Sequence, residues 1–367
     1  MWGHVLISIV VLLTSLFYHY HFSEPASIID YPETHYDYVV VGAGTSGCVI
    51  ASRLSEMSNV TVLLVEAGGY FGWTSTIPLL APMMQGTEVD WAYKTEPQVF
   101  SSRGFNGYRQ NWPRGKGLGG SGQLNYLVHS FGRPEDYKRW PKGWSHADLL
   151  PYFQKVTDIM NVVPMPEEEY LTKAFILAEE SLKLDNVSLR KAMYTAKRGS
   201  RWTTHHAYLQ KAWNRKNLHI LMNTLVTKIL FKNNNIEGIK VMYKNGSIGR
   251  IGVRKEVILC AGTINTPQLL LISGVGPISE LEKHKVTYRS LFPSYNDSMH
   301  EGFIYLVSCL QPKSRGSVTL RSSDIRDPPR INPAYLQDSD DVTCTYREKE
   351  RIPLAPTVIL AFTEAKR

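Results

Sequence analysis

Three glycines near the N-terminus have the spacing that binds the pyrophosphate of a dinucleotide. Gly42, Gly44 and Gly47 stand in the pattern G-x-G-x-x-G. In this pattern the first glycine permits a tight turn, the second lets the backbone approach the phosphates, and the third lets a helix pack closely on a strand. The chemistry expected here is therefore the binding of an anionic cofactor by backbone N–H groups at the start of a helix.

The flanking sequence predicts the elements that such a loop needs. Tyr36–Val41 is apolar and β-branched, as in a strand buried on both faces of a parallel sheet. A helix is expected from about Thr45, and Val60–Val65 predicts a second buried strand. Glu66 follows, 19 residues after Gly47, where a ribose-binding carboxylate belongs. This order predicts a βαβ unit for NAD or FAD, and these residues do not distinguish the two.

A second glycine-rich segment lies at 113–125. Five glycines fall within the eight positions from Gly115 to Gly122, so the backbone can approach a ligand closely. Ser121 and Asn125 would present a hydroxyl and an amide to that ligand. The alternative is a flexible surface loop.

A third motif, Ala261–Pro277, follows the predicted strand Glu256–Cys260. It predicts a strand that ends in Ala261-Gly262 and then a helix capped by Asn265 or Thr266, with Pro267 in its first turn and Gly274 at its end.

Together the second and third motifs resemble the two signatures of the glucose–methanol–choline (GMC) oxidoreductases, and in particular the insect glucose-dehydrogenase-like branch. The resemblance implies FAD as the cofactor and a Rossmann-type α/β domain, with a smaller α+β substrate domain built on an antiparallel sheet. Carried over residue by residue, it implies cofactor contacts at Gly42, Gly44, Thr45, Ser46, Gly47, Glu66, Gly117, Ser121, Asn125, Tyr126, Leu127, Val128, Val226, Ala261 and Gly262.

The resemblance also implies a discontinuous domain organisation. The FAD-binding domain is expected from 36–131 and 218–291, the substrate domain from 132–217 and 303–342, and an atypical tail from 343–367. Within the FAD domain, Leu218–Phe231 is expected to form a strand pair. Ile236–Tyr243 and Ile248–Cys260 are expected to form a meander that turns at Asn245-Gly246.

The N-terminus and the composition suggest where the protein acts. Val5–Phe17 is an apolar run of the length of a secretory h-region, so 1–23 is predicted to be a signal peptide and the protein to be secreted, with a signal anchor as the alternative. Glycosylation sequons at Asn59, Asn186, Asn245 and Asn296 are compatible with secretion. No stable membrane span is expected.

Nucleic-acid and metal binding are not favoured by the sequence. The net charge is +8, and the basic residues are scattered along the chain, which does not favour nucleic acid as a partner. His205 and His206 are adjacent, so they would not share a face of a helix, and no metal site is predicted.

The functional expectation is an FAD-dependent oxidoreductase acting on the CH–OH group of an alcohol or sugar, with oxygen or a quinone as electron acceptor. In the family a histidine near the C-terminus is the base, and no residue of this sequence stands in that context. No catalytic residue is therefore assigned, and the substrate domain is expected to be incomplete. The alternatives are a non-catalytic secreted flavin-binding protein, a partial gene product or, more remotely, a nicotinamide-dependent enzyme.

Overall fold

The computed structural model describes residues 11–12, 27–164, 193–233, 235–287 and 312–343. Several predictions concern residues outside these ranges: the signal peptide apart from 11–12, part of the substrate segment (165–192), 288–311, and the tail beyond 343. Two of the four sequons, at Asn186 and Asn296, also lie outside the described residues. Within the described residues, no helix is both long and apolar enough to cross a bilayer.

The longest strands lie between Leu225 and Leu259. In chain order the strands are β1 His35–Val41, β2 Val62–Val65, β3 Tyr93–Lys94, β4 Asn111–Trp112, β5 Val128–His129, β6 Val162–Pro164, β7 Met193–Lys197, β8 Ser200–Arg201, β9 Leu218–Leu221, β10 Leu225–Lys232, β11 Asn235–Met242, β12 Ile248–Leu259, β13 Ser317–Thr319 and β14 Arg330–Asn332.

The α-helices are α1 Thr45–Leu54, α2 Ala81–Met84, α3 His146–Met160, α4 Gln210–Ala212, α5 Gly262–Ile272 and α6 Ile278–Lys283. A π-helical turn, His205–Leu209, leads directly into α4. Single 3₁₀ turns occupy Trp73–Thr76, Pro78–Leu80, Asn106–Tyr108, Gly120–Gln123 and Pro134–Tyr137.

Backbone contacts divide the chain into two compact units. The first unit consists of Met1–Trp73, Gly115–Gln123 and Trp202–Ala261, and the second of Thr74–Arg114, Leu124–Arg201 and Gly262–Arg367. These units differ in their boundaries from the domains expected from sequence, whose assignment stays a prediction.

The first unit is built on a six-stranded sheet in the order β10-β11-β12-β1-β2-β9. β12, β1, β2 and β9 run parallel, whereas β10, β11 and the start of β12 form an antiparallel meander. The predicted βαβ unit is confirmed, with β1, α1 and β2 in order. Helix α1 covers one face of these strands, and Val40, Cys48, Ala51 and Leu64 are fully buried in one cluster.

The strand pair expected within Leu218–Phe231 is wrong. The segment does form two strands, β9 and β10, but they lie at opposite edges of the sheet. β9 pairs in parallel with β2, and β10 pairs antiparallel with β11. The meander is confirmed: the hairpin between β11 and β12 closes where Tyr243 N donates to Ser247 O at 2.9 Å, and Gly246 supplies the left-handed residue at φ +83°.

The second unit contains small antiparallel sheets. β5, β7 and β6 pair in that order, with β8 hydrogen-bonded to β7, while β3–β4 and β13–β14 form separate two-stranded ribbons. Among the residues of this unit that the structure describes, two clusters of buried apolar side chains are found. One includes Leu271, Leu281 and Leu320, and the other includes Tyr93, Ile264 and Ile331.

Helix α5 begins earlier than the sequence predicts. It starts at Gly262, so Asn265 and Thr266 lie inside the helix, and Pro267 stands in its interior at the sixth position. The predicted capping role of Asn265 or Thr266 is therefore wrong. The predicted end is confirmed, because Gly274 at φ +88° closes the helix with bonds from Gly274 N to Leu271 O and from Val275 N to Leu270 O.

Candidate cofactor-binding site

The glycines that follow β1 have different surroundings in the structure. A Cβ atom on Gly47 would lie 1.8 Å from the carbonyl oxygen of Gly42, and a Cβ on Gly42 would lie 2.5 Å from that of Cys260. These two positions need glycine for close packing inside the protein. A Cβ on Gly44 would meet nothing nearer than the Cα of Gly120, at 4.0 Å. Gly44 therefore faces open space, where a ligand can approach the backbone.

The N-terminus of helix α1 faces the same open space. Gly44 is its N-cap, no side chain caps the helix, and no acidic residue lies in its first turn. The first helical residues, Thr45 and Ser46, are exposed. Free N–H groups and the positive end of a ten-residue helix thus remain available for an anion.

Glu66 lies fully within the protein at the end of β2. Its carboxylate accepts hydrogen bonds from Ala43 N at 2.7 Å and from Gly68 N at 3.0 Å. Burial raises the pKa of Glu66 to about 7, and backbone N–H groups, those of Gly68 and Ala43 foremost, act against that rise. Glu66 thus holds the glycine turn against the end of β2. Because a carboxylate has about four acceptor positions, it can also accept from hydroxyl groups.

The second glycine-rich segment packs against the first. Gly119 N donates to Ala43 O at 2.7 Å, and Leu118 N donates to Gly69 O at 3.0 Å. A Cβ on Gly120 would come within 2.7 Å of the Cα of Gly44. The alternative of a flexible surface loop is wrong, because Gly117 through Gly120 are buried.

Two predicted residues of this segment have definite partners. The backbone N–H of Gly117 is one of those that lower the pKa of Glu66. Ser121 is exposed, and its hydroxyl accepts from Gly115 N at 3.1 Å.

Two further predicted residues of the first unit lie near these loops in the hydrogen-bond network. The corner between β9 and β10 is hydrogen-bonded to the backbone of Glu66. The Glu66 N–H donates to Leu221 O, and the Glu66 carbonyl accepts from Thr224 N, both at 2.9 Å. Val226, two residues further on, is 6% exposed. At the end of β12, Cys260 N donates to Val41 O at 2.7 Å, which places Ala261 beside Gly42.

The remaining predicted residues belong to the second unit. Asn125 accepts from Leu127 N at 3.1 Å and from Arg201 Nη1 at 2.7 Å. Tyr126 is exposed, and its hydroxyl accepts from Gln85 Nε2 at 3.0 Å. Val128 is exposed on β5, and Gly262 opens helix α5 at φ +85°.

The adjacent histidines contact each other edge to face, with ring centroids 5.0 Å apart, but their other partners differ. His205 is buried, with its ring 5.4 Å from that of Trp213, and burial lowers the pKa of His205 to about 3, to which neighbouring His206 adds. His206 instead stacks on Trp202 and bonds Thr203 through Nδ1. Among the described residues, no three or more His, Cys, Asp or Glu side chains are grouped as metal ligands.

Sequence reasoning missed Gly68, Gly120 and Arg201. Gly68 and Gly120 are needed because other backbone segments lie within 2.3–2.7 Å of where their Cβ atoms would be. The glycine count of the second segment was a signal for Gly120. No signal in the sequence distinguishes Arg201, which is only 1% exposed, from the arginines of the surface.

These features fit a dinucleotide. Gly44 leaves room for a phosphate beside a free helix N-terminus, and Glu66 stands at the end of the neighbouring strand, as a ribose requires. The first unit therefore defines a Rossmann-type dinucleotide-binding protein.

Comparison with known proteins identifies the family within that class. The profile of the GMC oxidoreductases matches residues 36–287. The chain belongs to the GMC oxidoreductase family, whose cofactor is FAD, and this confirms the family, fold and cofactor expected from the sequence.

Individual relatives agree with the family assignment. The chain is 31% identical to glucose dehydrogenase [FAD, quinone] of Drosophila pseudoobscura pseudoobscura, over 85% of this chain and 68% of that protein. It is 34% identical to the mitochondrial choline dehydrogenase of Homo sapiens, over 78% of this chain and 53% of that protein. Among solved structures, pyridoxine 4-oxidase from Mesorbium loti matches with a TM-score of 0.76 and 25% identity, over 88% of this chain and 81% of the other.

Proposed function

We propose that the chain binds FAD and oxidises the CH–OH group of an alcohol or sugar, with a quinone or oxygen as electron acceptor. The observation that carries the proposal is the open space at Gly44, bordered by the free N-terminus of α1 and by Gly120, with Glu66 at the end of the next strand. The substrate class is proposed from relatives named glucose dehydrogenase and choline dehydrogenase.

On this proposal each residue has a defined task. Backbone N–H groups of Gly44, Thr45, Ser46 and Gly47 would bind the pyrophosphate, because they lie at the start of α1. Gly42 would form the tight turn against the pyrophosphate, since its own N–H donates to Val65 O at 2.8 Å. Glu66 would accept from the ribose hydroxyls, and the backbone of Val226 would hold the adenine. The flavin end would be held by residues of the second glycine-rich segment and of the third motif: Gly117, Ser121, Asn125, Tyr126, Leu127, Val128, Ala261 and Gly262.

FAD, once bound, supplies an acceptor for the hydride that leaves the substrate carbon. The hydroxyl proton of the substrate must then go to a base. No residue of the described chain is assigned that task, so the proposal of turnover can be tested separately from the proposal of FAD binding.

The absorption spectrum of the purified chain tests both. We expect a flavin spectrum that bleaches when glucose, choline or another alcohol is added without oxygen, and that returns when a quinone is added. A flavin spectrum that persists with every donor would mean flavin binding without turnover. The absence of any flavin spectrum, after incubation with FAD, would contradict the proposal.

We also propose that the protein is secreted. The support is the apolar run Val5–Phe17 and the exposed sequon residues Asn59 and Asn245. Expression in insect cells should place the protein in the medium, with a mobility that increases after N-glycosidase treatment. Retention of all the protein inside the cells would contradict this part of the proposal.

A further inference from the structure

Arg201 is an unusual residue in the second unit, because its cationic side chain is almost completely buried. It is 1% exposed and belongs to β8, where it pairs with Ala196 of β7. Its Nε donates to Ser75 O at 2.8 Å, and its Nη1 donates to Asn125 Oδ1 at 2.7 Å. Burial lowers the pKa of Arg201 to about 10, so the guanidinium is charged at neutral pH. A buried, charged donor is therefore hydrogen-bonded to the Asn125 side chain.

The contact with Arg201 fixes the orientation of the Asn125 amide. Asn125 Oδ1 accepts from two donors, Arg201 Nη1 and Leu127 N. If the amide were flipped, its NH₂ group would face these two donors and both hydrogen bonds would be lost. No acceptor for Asn125 Nδ2 is found in the described part of the chain, and the residue is exposed. Both N–H groups of the amide are therefore available to a ligand.

The backbone that follows Asn125 is held in an uncommon conformation. Leu127 has φ +68°, which leucine rarely adopts, and it is buried. Its N–H is bonded to Asn125 Oδ1, and its carbonyl accepts from Thr195 N at 3.2 Å. Such conformations persist where the surroundings enforce them, and they cluster at functional sites. The bond between Arg201 and Asn125 belongs to the contacts that enforce this one.

We infer that Arg201 is a positioning residue that holds the Asn125 amide so that its NH₂ group donates to the acceptor-rich edge of the flavin. The inference rests on the proposed function, in which Asn125 contacts FAD. An isoalloxazine ring carries carbonyl and ring-nitrogen acceptors, which suit an amide donor. Arg201 is suited to this task because its planar group donates to Ser75 and Asn125 in a fixed geometry, which the single ammonium of lysine does not reproduce.

The test is a double-mutant cycle on FAD affinity, measured by the quenching of FAD fluorescence on the full chain. We expect Arg201→Lys to weaken FAD binding by about tenfold, and Asn125→Ala to weaken it by at least as much. Since Arg201 acts through Asn125, the double variant should bind FAD within about twofold of Asn125→Ala alone. The control is Arg139→Lys, an exposed arginine of the same unit, which should leave the affinity unchanged.

A second measurement separates positioning from a general loss of stability. The midpoint potential of the bound flavin should change in Arg201→Lys, because the donor to the ring is misplaced, whereas a merely less stable protein would bind flavin at the original potential. If Arg201→Lys does not fold, Arg201→Gln retains an uncharged donor and serves in the same cycle.

Two results would overturn the inference alone. One is an Arg201→Lys variant with wild-type affinity and potential. The other is a tenfold further loss when Arg201→Lys is added to Asn125→Ala. Failure of the wild-type chain to bind FAD would overturn the inference together with the proposed function.

Discussion

The contrast between Gly44 and Gly47 gives a sharp test of the site. Gly44→Ala places a methyl group in the open space, 4.0 Å from its nearest neighbour, and the φ of −74° at Gly44 suits alanine. The free energy of unfolding of the apoprotein should therefore change by less than about 1 kcal/mol. The same methyl group would occupy the space that a phosphate needs and would remove one or two charge-assisted hydrogen bonds. At roughly 1.5–3 kcal/mol each, their loss corresponds to a decrease in FAD affinity of at least about tenfold.

Gly47→Ala, in contrast to Gly44→Ala, should strongly reduce the stability of the apoprotein. Its methyl group would lie 1.8 Å from Gly42 O, far inside the 3.4–4 Å of an ordinary contact, so the backbone must move by more than about 1 Å in a close-packed region. We expect a loss of about 3 kcal/mol, a large part of the roughly 5–15 kcal/mol of a typical protein. Urea unfolding followed by circular dichroism measures the stability of both variants, and titration with FAD measures affinity. The reasoning would be refuted by a Gly44→Ala variant that binds FAD normally, or by a Gly47→Ala variant as stable as the wild type.

Further predictions concern two titrating groups and one helix. Because burial raises the pKa of Glu66 to about 7 in the folded state, its contribution to apoprotein stability should be lost as pH rises from about 4.5 through 7. In Glu66→Gln, the urea midpoint should decline less over this pH range, and FAD binding should be weaker. The pKa of His205 is lowered to about 3, so its contribution to the free energy of unfolding is present above about 6.5 and is lost as pH falls towards 3. His205→Phe should therefore lose less stability in acid than the wild type does. An unchanged dependence of the urea midpoint on pH would contradict the lowered pKa. Pro267→Ala should restore a hydrogen bond to Thr263 O inside α5 and stabilise the protein by about 1 kcal/mol, as measured by urea unfolding.

The local part of the fold could be predicted from the sequence, because its signals lie close together in the chain. β1, the glycine turn, α1, β2 and Glu66 fall within residues 35–66, and each has its own marker in residue type or spacing. The start of α5 was misplaced by a local ambiguity. Pro267 usually marks a first turn, but a glycine in a left-handed conformation at Gly262 allowed an earlier start.

Features that depend on distant residues could not be predicted. The alternation of apolar and polar residues predicts β9 and β10 as strands. Their partners, β2 and β11, are set by the topology of the whole sheet. The same limit applies to Arg201, since burial of a single arginine depends on the segments that surround it. Gly120 packs against Gly44, which lies 76 positions earlier in the chain, and the sequence of neither segment predicts this contact.

The register between β1 and β12 has a consequence for biosynthesis. Val41 pairs with Leu259, so β1 lacks its neighbour on one side until more than 200 further residues have been made. At roughly 5–20 residues per second, that interval is on the order of 10–40 s, during which the apolar edge of β1 has no native partner on that side. A chaperone that binds extended apolar segments should therefore associate with nascent chains that contain β1 but not β12, and should be released once β12 has emerged from the ribosome.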